Sequence, residues 1–245
     1  MSSYTPPRPG RLRRAFLHNT IRFFVGCYLR VRHENFETLP EPPYLLMFSH
    51  PNWVDPFLLA SHWPNPRTLF IFGPREEDMN DGWRNALIRW SQMAVPFRPS
   101  KTDLLDTTRR AAGVLGAGYV LALAGEGRLS DREGAIVPLQ DGAAFFALRA
   151  RVPVVPVAII GTRWLRFGKT VTMRVGPAIA TEGRRADREG VAGLTLELQS
   201  ALEALLVDVA DEPPPGRLGR FVTDVFNERP WLNEQNDGDD PARAR

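Results

Sequence analysis

A histidine and an aspartate five residues later are the side chains of this chain best suited to acid–base chemistry. His50 and Asp55 lie between an apolar run at residues 44–48 and a predicted helix that begins near Asp55 and Pro56. An imidazole held by a carboxylate can remove a proton from a hydroxyl group. The spacing therefore favours a general base with its orienting carboxylate. The alternative is that Asp55 only caps the helix and His50 is a solvated loop residue.

The elements on either side determine where this pair would lie. The run at residues 44–48 predicts a buried strand, and Asp55 followed by Pro56 predicts an N-cap and the first helical residue. His50 would then follow the carboxyl end of a strand, which is where ligands bind in open α/β sheets.

Polar residues that could bind a substrate follow two further apolar segments. They are Arg98 after residues 94–97, and Glu126, Gly127 and Arg128 after residues 119–123. Parallel strands would gather these side chains beside His50, where guanidinium groups suit a phosphate and a glycine lets a ligand approach the backbone. The alternatives are a surface arginine and an ordinary turn.

Strands and helices alternate along the predicted chain. Strands are predicted at 44–48, 68–72, 119–123, 152–160 and 171–175, and helices at 11–32, 55–62, 81–93, 103–116, 142–150 and 189–209. This order predicts an α/β fold: one domain with a largely parallel mixed sheet flanked by helices, plus an N-terminal basic amphipathic helix.

Composition narrows the class of protein. At 245 residues and 43% hydrophobic content the chain can form one large core. The one cysteine, Cys27, excludes an internal disulfide and favours a reducing compartment. Four scattered histidines show no zinc-like spacing, so no metal is predicted.

Charge is concentrated at the N-terminus. Residues 1–32 hold seven arginines and no acidic residue, so with a net charge of +3 the remainder is −4 (3 − 7). Within the predicted helix Arg11, Arg14, His18 and Arg22 form one stripe, and Leu17, Ile21, Phe24 and Tyr28 form another. This pattern is typical of an interfacial membrane helix. It equally fits a helix that packs on its own domain with solvated arginines. No apolar run is long enough to span a membrane, and no signal peptide is evident.

Four sequence blocks, in order, resemble the glycerolipid acyltransferases, typified by the 1-acylglycerol-3-phosphate acyltransferases. They are His50 to Asp55 (His-x4-Asp), Val95–Arg98, Ala124–Ser130 and Val152–Val157. The resemblance covers about residues 40–180. The chain differs from the usual pattern in having Ser49 and Asn52 around the histidine, Gly125 in place of a proline, and Arg128 directly after Gly127.

The resemblance implies transfer of a fatty acyl group from acyl-CoA or acyl-carrier protein to the free hydroxyl of a lysophospholipid. With 1-acylglycerol-3-phosphate the product is phosphatidic acid. His50 would be the base and Asp55 its partner, Arg98 and Arg128 would bind the substrate phosphate, and Glu126 and Gly127 would position the substrate. No cofactor is implied beyond the acyl donor.

The predicted organisation has three parts: a membrane-associating segment at 1–35, an acyltransferase domain at 36–210, and a partly disordered extension at 211–245. The protein would lie on anionic lipids at the cytoplasmic face of the cell membrane and would not bind nucleic acid. Two alternatives stay open. One is another acceptor, such as glycerol phosphate, a different lysophospholipid or an amino-acid lipid. The other is a non-catalytic peripheral protein that binds lipid or nucleic acid.

Overall fold

The computed structural model describes residues 4–7, 10–65, 67–75, 86, 89–97, 104–130, 132–213 and 215–226. Its strands are β1 (Arg30–Glu34), β2 (Leu45–Phe48), β3 (Leu69–Arg75), β4 (Ala94–Phe97), β5 (Val120–Ala124), β6 (Val154–Ile160) and β7 (Thr170–Val175). Its helices are α1 (Arg11–Tyr28), α2 (Asp55–His62), α3 (Leu104–Gly116), α4 (Gly142–Ala150), α5 (Arg188–Leu206) and α6 (Arg217–Phe226). A 3₁₀ turn covers Phe36–Thr38.

The strands form one sheet in the order β1-β7-β6-β2-β5-β3-β4. Every neighbouring pair is parallel except β6 with β7. Strand β2 lies at the centre between β5 and β6, and all four of its residues are buried. The predicted α/β fold with a largely parallel mixed sheet is confirmed.

Alternate residues of β2 enter two different cores. Leu45 and Met47 join the cluster that contains residues of α3, α4 and α5, whereas Leu46 and Phe48 join the cluster that contains residues of α2. Side chains of a strand alternate between the two faces of a sheet, so helices on both faces bury the whole strand. This double cover explains the continuous apolar run at 44–48.

The first helix is shorter than predicted. Helix α1 ends at Tyr28, and residues Arg30–Glu34 form a strand parallel to β7, so the predicted helix to Arg32 is wrong. Leu29 is buried in the core at the change of direction, and the Arg30 N–H donates to the Lys169 carbonyl at 2.8 Å. Pairing with β7, whose residues lie 140 positions further along the chain, determines the structure of this segment in place of its local helical pattern.

The basic stripe of α1 is not wholly solvated. Arg14 is 2% exposed, its guanidinium lies 4.6 Å from the centre of the Phe70 ring, and it donates to the Arg67 carbonyl. Burial lowers the pKa of Arg14 to about 10. The most exposed apolar side chains of the helix are Leu12, Phe16, Phe23 and Phe24. Helix α1 therefore packs through a face that includes an arginine and presents aromatic rings outward.

Two predicted segments fall largely or wholly outside the described residues. Of the helix predicted at 81–93, only residue 86 and residues 89–93 are described, and 86 and 89–91 are helical. Of the extension predicted at 211–245, residue 214 and residues 227–245 lie outside the described residues. The helices predicted near 103–116, 142–150 and 189–209 are confirmed as α3, α4 and α5. Helix α6, within the segment 211–245, was not predicted.

A histidine at the junction of α2 with β1 and α1 should make folding stability depend on pH. Burial, and then the nearby charges of His33 and Arg22, lower the pKa of His62 from near 6.5 to about 4. As pH falls through this window the unfolded chain gains a proton that the folded chain does not, so stability decreases. Between about pH 7.5 and about pH 4.5 we expect His62 to lower the free energy of unfolding by up to about 2–3 kcal/mol.

Urea unfolding of the wild type and His62→Gln at about pH 7.5 and about pH 4.5 would measure this effect. The acid-induced loss of stability should be smaller in the variant, because other titrating groups are common to both proteins. An equal loss in both proteins would contradict this role of His62.

Candidate active site

The loop that follows β2 brings His50 and Asp55 together. Nδ1 of His50 lies 2.9 Å from Oδ2 of Asp55, the carboxylate is fully buried, and the imidazole is 19% exposed. A carboxylate accepts a hydrogen bond from Nδ1–H and so leaves Nε2 unprotonated in the neutral ring. The pair predicted from sequence therefore has the geometry of a base with an orienting acid.

Asp55 does not cap its own helix. It is the first residue of α2, and its Oδ2 atom accepts the N–H of Asn52 at 2.7 Å, on the side that precedes the helix. The predicted N-cap role is wrong because the carboxylate turns back into the loop. The same turn brings it to His50.

Asn52 ties the loop together. It is fully buried, its side-chain amide donates to the Thr162 carbonyl at 2.7 Å, and its Oδ1 atom accepts the Val54 N–H at 3.1 Å. Ser49 adds a second link, since its hydroxyl accepts the Ile159 N–H at 2.8 Å. In the sequence, Ser49 and Asn52 are only differences from the usual acyltransferase motif. Their roles depend on Ile159 and Thr162, each 110 residues away.

The buried carboxylate depends on its partners to stay ionised. Burial raises the pKa of Asp55, and the hydrogen bond and charge of His50 and the hydrogen bond from the Asn52 N–H lower it. These groups act at short range in a site with little water, where each has a large effect. The loop therefore both orients the imidazole and sustains the negative charge behind it.

Glu126 holds the backbone of His50. The side chain is 2% exposed, Oε1 accepts the His50 N–H and Oε2 accepts the Val137 N–H, both at 3.0 Å. Burial raises the pKa of Glu126, and these two N–H groups lower it. Both oxygens are thus occupied by backbone. These contacts fix the loop that carries the base, and positioning of the substrate by Glu126 stays a prediction.

Glycine is favoured at each of the two positions beside Glu126 for a different physical reason. Gly127 has φ +67°, a conformation that side chains disfavour. A Cβ on Gly125 would lie 2.8 Å from Sδ of Met47 and 2.9 Å from Cδ2 of Leu139. Gly125 therefore permits close packing of this turn against β2.

A buried carboxylate missed in the sequence braces the opposite side of the loop. Glu133 is 4% exposed, and its two oxygens accept the N–H groups of Gly161 at 2.7 Å and Arg163 at 3.0 Å. Burial raises the pKa of this carboxyl group. Glu133 thus fixes the turn whose Thr162 carbonyl accepts from Asn52. In the sequence Glu133 is a single acidic residue between Arg132 and Gly134. This pattern is too common to indicate a buried structural carboxylate.

A cavity of about 600 Å³ opens at the imidazole. His50, Gly127 and Arg128 line it together with mainly apolar side chains, among them Leu17, Ile21, Phe57, Ile71, Phe72, Leu123 and Phe146. Its volume is that of a site for an organic molecule rather than for water alone. A base, a cation and an apolar wall thus share one space, which suits a substrate with a polar head and a hydrocarbon part.

The two predicted arginines have different outcomes. Arg128 is exposed and lines the same cavity as His50. Arg98 lies outside the described residues, so its placement beside the cavity stays a prediction. Within the described ranges, no group of three or more His, Cys, Asp or Glu side chains is arranged to hold a metal ion. No helix there is both long and apolar enough to cross a bilayer.

The fold and the site together define an open α/β domain with a His–Asp pair at the carboxyl end of its central strand. Residues 30–160 match the family model described as Acyltransferase, and the chain belongs to that family. It is an acyltransferase enzyme. The resemblance seen in the four sequence blocks is thereby confirmed.

A solved structure of similar fold is that of the 1-acyl-sn-glycerophosphate (LPA) acyltransferase PlsC from Thermotoga maritima. The two chains superpose with a TM-score of 0.61 and 18% sequence identity, over 80% of this chain and 81% of the other. At this identity the likeness concerns the fold.

Proposed function

We propose that the protein transfers a fatty acyl group from acyl-CoA or acyl-carrier protein to the free hydroxyl of a lysophospholipid, foremost 1-acylglycerol-3-phosphate, giving phosphatidic acid. The observation that carries the proposal is the His50–Asp55 contact of 2.9 Å at a largely apolar cavity that Arg128 also lines. A base alone would serve many reactions. The cavity and the cation favour a substrate with a hydrocarbon chain and a phosphate.

The proposed reaction is a direct transfer. Nε2 of His50 takes the proton of the acceptor hydroxyl while the hydroxyl oxygen attacks the thioester carbonyl. Asp55 stabilises the imidazolium that forms, as in catalytic dyads. The carbon–sulfur bond then breaks, and the leaving thiolate takes the proton from His50 and departs as a thiol. The ester and the free thiol account for all atoms, and the imidazole returns to its neutral form.

The contacts around the loop support this role by holding the base in place. The His50 N–H is bound to Glu126 at 3.0 Å, and its carbonyl accepts the Ser130 N–H at 2.8 Å. The Asn52 N–H binds Oδ2 of Asp55 at 2.7 Å, the same oxygen that contacts His50. A base held in advance loses little freedom on reaching the transition state. Glu126 and Asn52 are therefore positioning residues in this proposal.

The cavity provides room for an acyl chain, and Arg128 a site for the acceptor phosphate. Guanidinium groups bind phosphate through paired hydrogen bonds. Arg98 remains part of the proposal as a second phosphate ligand. Gly127, beside Arg128, leaves space for the substrate to approach the turn.

We also propose that helix α1, within the predicted segment 1–35, holds the enzyme on anionic lipids at the cytoplasmic face of the membrane. Residues 36–210 form the catalytic domain together with strand β1. The support is the exposure of Leu12, Phe16, Phe23 and Phe24 on α1, with Arg13 and Arg22 on the same helix. Leu17 and Ile21 of this helix line the cavity. A lipid-bound α1 would therefore keep the cavity near its substrates.

Arg128→Ala should raise the acceptor KM by about 10- to 100-fold, the range expected for loss of a hydrogen bond to a charged group. The kcat should change less, because the phosphate is bound equally before and during the reaction. Steady-state kinetics with varied lysophosphatidate would measure this. Arg188→Ala, at an exposed arginine of α5, is the matched control. An unchanged KM would remove Arg128 from the phosphate site.

An acceptor panel tests the proposed function. The full chain would be assayed with labelled acyl-CoA or acyl-carrier protein and either lysophosphatidate, glycerol 3-phosphate or lysophosphatidylethanolamine. We expect the highest kcat/KM with lysophosphatidate. A preference for another acceptor would make that molecule the proposed substrate. If no acceptor receives the acyl group, the proposed function is wrong.

A further inference from the structure

Among the described side chains of helix α6, a polar one contacts the domain and two apolar ones lie outside. Thr223 is fully buried, and its hydroxyl accepts the Leu165 N–H at 3.1 Å. Leu218 and Phe221 are 78% and 64% exposed and, three residues apart, lie on one face. A helix that packs on its own core has the opposite arrangement. Within the part of the chain that the structure describes, this face is uncovered and can make a contact outside it.

The loop that receives α6 adds a third exposed apolar side chain. Phe167 is 78% exposed, and its ring centre lies 6.1 Å from that of Tyr28 at the end of α1. The Gly168 N–H donates to the Tyr28 carbonyl at 2.8 Å. The loop thus joins α6 to the end of α1. Phe167, Leu218 and Phe221 are here termed the α6 patch: all three are exposed, and the loop that carries Phe167 contacts both α1 and α6.

An exposed arginine precedes each residue of the α6 patch in the sequence. Arg166, Arg217 and Arg220 are all exposed. Two acidic residues that precede α6 are engaged elsewhere: Glu212 pairs with Lys169 at 2.7 Å, and Asp211 accepts the Glu133 N–H at 3.1 Å. Apolar side chains bordered by guanidinium groups match a bilayer surface, where the former enter the acyl region and the latter bind lipid phosphates.

We propose that the α6 patch docks on an anionic lipid bilayer as a second membrane contact beside α1. Its location rests on the proposed placement of α1 at the membrane, whereas its chemistry is independent of acyl transfer. A second copy of the chain fits less well. One leucine and two phenylalanines offer at most about 500 Å², below the ~800 Å² per partner of a stable interface.

Vesicle co-sedimentation of the full chain tests the proposal. The wild type should bind vesicles that contain phosphatidylglycerol in phosphatidylcholine more tightly than phosphatidylcholine alone. Leu218→Ser with Phe221→Ser should weaken binding to the anionic vesicles by about tenfold. Arg217→Gln with Arg220→Gln should weaken it by a similar factor and reduce its dependence on salt. Leu196→Ser, which is 69% exposed on α5, is the matched control and should bind as the wild type does.

Several results would overturn the proposal. These are a wild type that does not bind anionic vesicles, or α6 double variants that bind as the wild type does. Light scattering tests the alternative of a second copy. If the wild type self-associates and the α6 variants are monomers that still bind vesicles as the wild type does, the α6 patch is a contact between two copies. If circular dichroism shows the apolar double variant unfolded, the arginine variant and Phe167→Ser carry the test.

One further measurement separates this proposal from the proposed function. With acceptor dispersed in detergent, the α6 variants should retain wild-type transfer while losing vesicle binding. A wild type that binds vesicles but makes no product contradicts the acyl-transfer proposal and leaves the docking surface standing.

Discussion

Replacing His50 with alanine should lower kcat for acyl transfer by about 10³-fold, the range for loss of a positioned general base. The substitution removes Nε2, the atom that would accept the hydroxyl proton, and with it the imidazole that contacts Asp55. The fold should persist, since β2 and its core neighbours are untouched. Initial rates with lysophosphatidate, together with circular dichroism, would measure both effects.

His33→Ala is the matched control for this experiment. His33 is an exposed residue of β1 and does not line the cavity. It should retain transfer within about twofold of the wild type, as surface substitutions do. A folded His50→Ala enzyme with near wild-type turnover would mean that another group activates the acceptor.

Asp55→Asn should lower kcat by about 10²- to 10⁴-fold with little change in KM. The amide oxygen can still accept from the Asn52 N–H, so the loop should keep its shape. What is lost is the negative charge that stabilises the imidazolium in the transition state. The observable is a fall in kcat and kcat/KM by the same factor.

Asp141→Asn provides the comparison, because Asp141 is an exposed residue that accepts a hydrogen bond from Thr195 at 2.9 Å. Its kinetics should match the wild type. An Asp55→Asn enzyme with a raised KM and an unchanged kcat would place Asp55 in substrate binding rather than behind the base.

The features of this molecule that were predictable from sequence are indicated by residues close to one another in the chain. The central strand at 44–48 is a continuous apolar run, and His50 and Asp55 are close enough for one loop to join them. The order of apolar runs and helical patterns also predicts the mixed sheet, because each parallel connection needs a crossover helix. The loop's position at a strand's carboxyl end then follows from the topology.

The parts that were missed depend on contacts between distant residues. The His50 N–H reaches Glu126 76 residues away, and Asn52 reaches Thr162 110 residues away. Nothing in the local sequence around Glu126 indicates that both its oxygens accept backbone N–H groups. The same holds for Glu133 and for the walls of the cavity, which come from separate helices and strands.

Helix α1 shows a third kind of difference. Its arginine stripe predicts solvated charge, yet Arg14 is buried on Phe70 and beside the Arg67 carbonyl. A guanidinium can stack on a ring and still donate hydrogen bonds, so burial costs it less than an ammonium group. Helical periodicity identifies two faces but does not say which one packs on the domain.

The most direct test of the central claim follows the labelled acyl group. The full chain would be incubated with lysophosphatidate and, in separate reactions, acyl-CoA or acyl-carrier protein labelled in the acyl group, and the lipids would then be separated. We predict that with one of these donors the wild type moves label into phosphatidic acid with release of an equal amount of thiol, and that His50→Ala does so about 10³-fold more slowly. Equal formation of phosphatidic acid by both proteins, or none by the wild type, would contradict the assignment.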